Sequence, residues 1–168
     1  ISTENTNILE KEVIKSAILK EYDEKYYKEI SENLINEWVN IGKIFTDKFS
    51  EISIKPLMEY KVFITKYGVG GSYDLPNTII VNVVWRSKER HLETIIHEII
   101  HLMIEDLIQK YKISHWKKER IVDLIFSKIL PDLRKEQNLY NKTDIKEIDD
   151  IFYKHFPNID NIISALST

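Results

Sequence analysis

Cysteine is absent from this 168-residue chain. That single absence excludes disulfides, thiolate zinc sites, iron–sulfur clusters and cysteine nucleophiles together. Glycine and proline are scarce, at four each, which removes the collagen-like and low-complexity classes. No apolar run approaches the roughly 18 residues that suggest a membrane span. Residues 1–7 are mostly polar and lack the apolar core of an export signal, so a cytoplasmic location without membrane contact is the expectation. A basic excess is missing too: the formal net charge is −3, and nucleic acid is not an expected partner. Alanine occurs only twice against 29 isoleucines, a compositional drift that carries no mechanism.

What remains is sufficient for a core. Hydrophobic residues make up 43% of the chain and charged ones 30%, the balance of a folded domain. One domain over 1–168 is expected, with an N-terminal helical part (1–49), a small sheet (50–86), a helical middle (87–131) and C-terminal helices (132–168). The apolar residues Ile8, Leu9, Val13, Ala17 and Ile18 suit an amphipathic helix over 7–22, and Tyr27, Ile30, Leu34, Trp38, Ile41 and Phe45 suit a second. Segments 60–67 (YKVFITKY) and 78–85 (TIIVNVVW) read as strands. The three glycines at 68, 70 and 71 between them predict a long-looped hairpin, with 51–55 as a possible third strand. Residues 89–110 contain no breaker and are apolar on most of the helix circumference. Ser114 is a candidate N-cap for a helix that Pro131 stops, and 143–156 and 159–166 complete a helix–helix–sheet–helices order. The fold class is α+β, with a small, mostly antiparallel sheet.

The chemistry lies in His97, Glu98 and His101, the pattern HEIIH. Helical residues four apart are about 40° apart around the axis, so both imidazoles face one way and can share a metal ion. Glu98 lies about 60° from His101, where its carboxylate can act as a general base towards metal-activated water without itself binding the metal. A third ligand is required, and without cysteine it is His, Asp or Glu. The metzincin continuation fails, because Ile104 and Leu107 occupy the positions of its glycine and third histidine. Glu119, 18 residues after His101 on the following helix, is the leading candidate. Asp123 and His115 are rivals, and His91, six residues before His97, reads as surface. Three protein ligands leave a fourth position for water, the mark of a catalytic rather than a structural zinc.

HExxH followed by a helical Glu, with an Asp four residues beyond it, resembles the gluzincin metallopeptidases, and the chain's size resembles their minimal members. The resemblance covers roughly 78–130. It implies a zincin-like fold with one Zn2+ held by His97, His101 and Glu119, Glu98 as general base, and Asp123 orienting His97 from behind. It implies hydrolysis of peptide bonds in a peptide or protein substrate lying extended along a sheet edge at 78–85. It also implies an oxyanion-stabilising side chain, for which Tyr140, Tyr153 and His155 are the downstream candidates. The alternative is a catalytically inactive, regulatory zincin-fold binding module.

Overall fold

The computed structural model describes residues 3–84, 90–134 and 143–167. Nine elements follow in order among them: α1 (Thr3–Glu21), α2 (Glu24–Phe49), β1 (Lys61–Thr65), β2 (Gly71–Asp74), β3 (Thr78–Asn82), α3 (His91–Lys110), α4 (His115–Ile129), α5 (Thr143–His155) and α6 (Ile159–Ala165). The class is α+β, as the hydrophobic periods predict. By its internal contacts the chain divides into two compact units, Ile1–Asn33 and Leu34–Thr168.

In the first unit, the Asp23 side chain accepts the Tyr26 N–H at 3.0 Å, satisfying one of the free amides at the start of α2. Tyr22 and Tyr27 stack at 5.4 Å. The α1 helix forms as its pattern predicts, yet Val13, Ile14, Ile18 and Leu19 remain exposed.

The second unit holds the sheet, whose strand order is β1-β3-β2. The β1 strand pairs with β3 in parallel, Lys61 opposite Thr78. The β2 strand pairs with β3 antiparallel, Gly71 opposite Val81. The sheet is therefore mixed, and the expected hairpin between 60–67 and 78–85 is corrected. The chain leaves β1 through Gly68, whose φ of +82° suits a residue without Cβ. It then spends Gly71 on an additional strand, and the hairpin is β2–β3 across 75–77. Period-2 patterning could not reveal β2, because GSYD carries no alternating apolar face. Asn82 closes the glycine segment from within: its Nδ2 donates to the Gly68 carbonyl at 2.9 Å, and its Oδ1 accepts the Val84 N–H. Segment 51–55 joins no strand. Ser53 Oγ instead accepts the Ile159 N–H at 2.8 Å, and the Ser53 N–H reaches the Pro157 carbonyl, tying this segment to the start of α6.

The α3 helix is the centre of this unit, in contact with β2, β3, α4 and α6. Ile96, Ile99, Ile100 and Ile104 are buried on it, as are Ile79 and Val81 of β3 and Ile121, Leu124 and Ile125 of α4. Fully burying each such side chain contributes roughly 1.5–3 kcal/mol. His91, read from sequence as surface, is instead buried at 3% exposure. It opens α3, where the helix's first turn is already enclosed.

Candidate metal centre

Two helices and the turn between them build the site. The α3 helix ends in a Schellman motif: the Ile113 N–H reaches the Ile108 carbonyl and the Lys112 N–H reaches Gln109, with Lys112 at φ 53°. That left-handed position usually takes glycine, and a side chain there costs roughly 1–2 kcal/mol. The turn reverses the chain sharply enough for α4 to return along α3. Ser114 occupies the N-cap position of α4 as predicted, but its side chain makes no capping bond. Its carbonyl accepts the Lys118 N–H instead.

This geometry brings the three expected ligands together. His97 Nε2 and His101 Nε2 are 3.0 Å apart. Glu119 places Oε2 3.4 Å from His97 Nε2 and Oε1 3.3 Å from His101 Nε2. Donors at about 2.0–2.1 Å from one tetrahedral ion are roughly 3.3 Å from each other. The observed separations are close to that size, the two imidazoles meeting different oxygens of the Glu119 carboxylate, and the three residues could hold a metal ion. His115 stands beside them, with Nδ1 3.7 Å from Glu119 Oε1, but its side chain is exposed and it is not part of the convergent group.

The protonation states suit a ligand set. Burial lowers the His101 pKa below its usual 6.5, and the neighbouring His97 and Lys118 add to this against the opposing pull of Glu119. Burial thus favours the neutral ring, the form that can hold a metal ion. Burial alone would raise the Glu119 carboxyl, but hydrogen bonds and charge from His101 and His97 outweigh it and hold that group well below the ordinary carboxylate range.

Glu98 is buried on the same turn as His97 and shares a cleft of about 1260 Å³ with all three ligands. The Gly70, Gly71, Ser72 and Tyr73 stretch forms one wall of that cleft. The strand order makes β2 the edge of the sheet and β3 its centre. The edge facing the cleft is thus 71–74, which corrects the expectation that 78–85 would supply it. Gly71 is where backbone and helix come closest. A Cβ built there would lie 2.5 Å from Glu98 Oε1 and 2.6 Å from Thr94 Cγ2, so any side chain at this position must displace the Glu98 carboxylate, the Thr94 methyl or the edge strand.

Asp123 corrects another expectation. Its Oδ2 accepts Arg120 Nη1 at 3.1 Å and its Oδ1 accepts Arg134 Nε at 2.9 Å, while His97 Nδ1 has no hydrogen-bond partner among the described residues, so the expected bond between Asp123 and His97 is not formed. Arg120 also forms a two-pronged pair with Asp149 of α5, both bonds 2.7 Å. The spacing puts Asp123 one turn beyond Glu119 on one face, but the two arginines claim its oxygens. Arg134 could not be anticipated from the motif.

Two of the three oxyanion candidates, Tyr153 and His155, are not brought to the site. Tyr140 lies outside the described residues. Tyr153 is half-exposed against Phe152, and neither it nor His155 lines the cleft. Tyr73 and Trp116 do line it, and sequence reasoning missed Tyr73 because it stood in an apparent turn. Its hydroxyl donates to Glu105 Oε2 at 2.5 Å and accepts from Lys118 Nζ at 2.9 Å. Burial, followed by the bond to Glu105 and the surrounding carboxylates, raises its pKa well above the ordinary value of 10, so the phenol stays protonated.

No helix among the described residues is long and apolar enough to cross a membrane. No protein-family model matches the chain, and no curated protein or solved structure matches it either.

Proposed function

We propose that this chain is a zinc-dependent peptidase of gluzincin type. The observation that carries the reading is the convergence of His97, His101 and Glu119 on one point with Glu98 beside them in the same cleft. Two imidazoles and a carboxylate are a zinc donor set, and a second, buried acid placed next to such a set favours hydrolysis. A zinc ion held there supplies Lewis acidity, acidifying water and polarising a carbonyl oxygen.

The chain's own residues do the rest. Glu98 takes a proton from the attacking water and returns it to the departing amide nitrogen, a general base that becomes a general acid. The β2 edge offers main-chain N–H and C=O groups to an extended peptide, which gives affinity with little dependence on side-chain sequence. His97, His101 and Glu119 keep the ligand triangle because α3 and α4 are packed through a continuous apolar layer.

Elemental analysis of the purified protein, combined with cleavage of a mixed peptide library with and without a chelator, tests the reading. One equivalent of zinc and cleavage that the chelator abolishes is the expected result. Zinc without cleavage would replace the peptidase by a binding module, and iron in place of zinc would remove the hydrolytic reading.

Gly71→Ala provides a finer check. The added methyl must displace the Glu98 carboxylate or the edge strand. Misplacing a catalytic group by about 1 Å can cost roughly 100-fold in rate. The expected outcome is a loss of that order in kcat with zinc content unchanged, read from steady-state cleavage and elemental analysis. A wild-type kcat would show that the close approach is unimportant.

A further inference from the structure

A histidine that holds a metal ordinarily donates its second ring N–H to a carboxylate, a carbonyl or water, and that bond sets the ring's orientation. Among the described residues the buried Nδ1 atoms of His97 and His101 find no such partner. Asp123, the acid whose spacing suits the role, is engaged by Arg120 and Arg134. His101 has a different neighbour. The ring of Tyr73 lies face-on against it, with centroids 5.2 Å apart and planes 13° from parallel. Tyr73 is in turn held at its hydroxyl between Glu105 Oε2 and Lys118 Nζ, which are themselves 3.9 Å apart. Glu105 lies one turn beyond His101 on α3, and Lys118 directly precedes Glu119 on α4. One phenol thus joins the edge strand, the histidine helix and the glutamate helix.

We propose that Tyr73 is a positioning residue for His101, its stacked ring doing what a hydrogen bond to Nδ1 does elsewhere, and its hydroxyl fixed by Glu105 and Lys118. The inference rests on the metal-centre reading above. Tyr73 acts through His101, and its effect is on ligand geometry. Edge-strand placement makes the coupling useful, since the strand offered to a peptide and the ligand behind it share one side chain.

The test measures zinc affinity by competition with a chromophoric chelator, and the His101 ring-proton resonances of the metal-free protein. Tyr73→Leu removes the ring and is expected to weaken zinc binding about 10–100-fold, the range for partners that orient a ligand, and to shift those resonances. Tyr73→Phe keeps the ring and is expected to recover most of the affinity and the resonance positions. Phe152→Leu, which loosens the buried core at a residue that does not line the cleft, is expected to lower the melting temperature and leave zinc affinity unchanged. Wild-type affinity in Tyr73→Leu overturns this inference alone, as does an equal loss of affinity in Phe152→Leu. A wild-type chain that takes up no zinc overturns both this inference and the metal-centre reading.

Discussion

Glu98→Gln is expected to keep its zinc and lose peptide hydrolysis by a factor of about 10²–10⁴, the usual contribution of a general acid–base group. The amide has nearly the shape of the carboxylate, so the packing of Gly71 and Thr94 around it is preserved. What changes is basicity: an amide cannot accept the proton from the attacking water. Elemental analysis with steady-state cleavage separates the two effects. Because Glu98 takes no part in the donor triangle, a loss of zinc in this variant would show that its carboxylate supports the ligands. Cleavage at the wild-type rate would remove it from the reaction altogether.

The second large effect is expected at Glu119. Glu119→Ala removes the carboxylate that lies 3.3–3.4 Å from both imidazoles and leaves two ligands on one helix. Zinc affinity should fall by more than the roughly 100-fold seen when only an orienting partner is lost, and cleavage should fall with it. Asp123→Asn is the contrast. Asp123 is one turn away on the same helix, yet its oxygens belong to Arg120 and Arg134. Breaking such a buried pair costs about 3 kcal/mol or more of stability and should leave zinc affinity intact. Isothermal titration beside thermal denaturation distinguishes them. Equal zinc affinity in Glu119→Ala and wild type would end the proposed ligand set.

The group that could hold a metal ion was legible in the sequence because helix geometry is local. His97 and His101 face one way whatever else the chain does, and the breaker-free run around them specifies α3 without reference to the rest. Glu119 was legible for a similar reason: its distance from His101 matches the remaining turns of one helix, a reversal and the first turns of the next. The reversal itself was obscured, since Lys112 occupies a left-handed position where a glycine would have announced it.

The sheet was misread for a physical reason. Strand patterning reports which faces are buried and not which neighbour lies alongside. Thr78–Asn82 reads equally well as the antiparallel hairpin partner of 60–67 or as the centre of a mixed sheet, and only the parallel pairing with β1 beside β2 selects the second. Gly71 and Tyr73 stood in the glycine-rich segment as turn residues. They became cleft residues once β2 took the sheet edge beside α3. His91 failed likewise, because its exposure depends on what covers the start of α3.

By itself, the sequence determined the helices, the α+β class and the spacing of His97, Glu98, His101 and Glu119, all consequences of short-range periodicity and covalent distance. Tertiary structure alone decided that β2 is the strand at the cleft, that Tyr73 stacks on His101, and that Asp123 answers to two arginines. Each of those outcomes is a competition among partners distant in the chain, settled by which contacts can be satisfied together in the packed core, and no local pattern encodes that result.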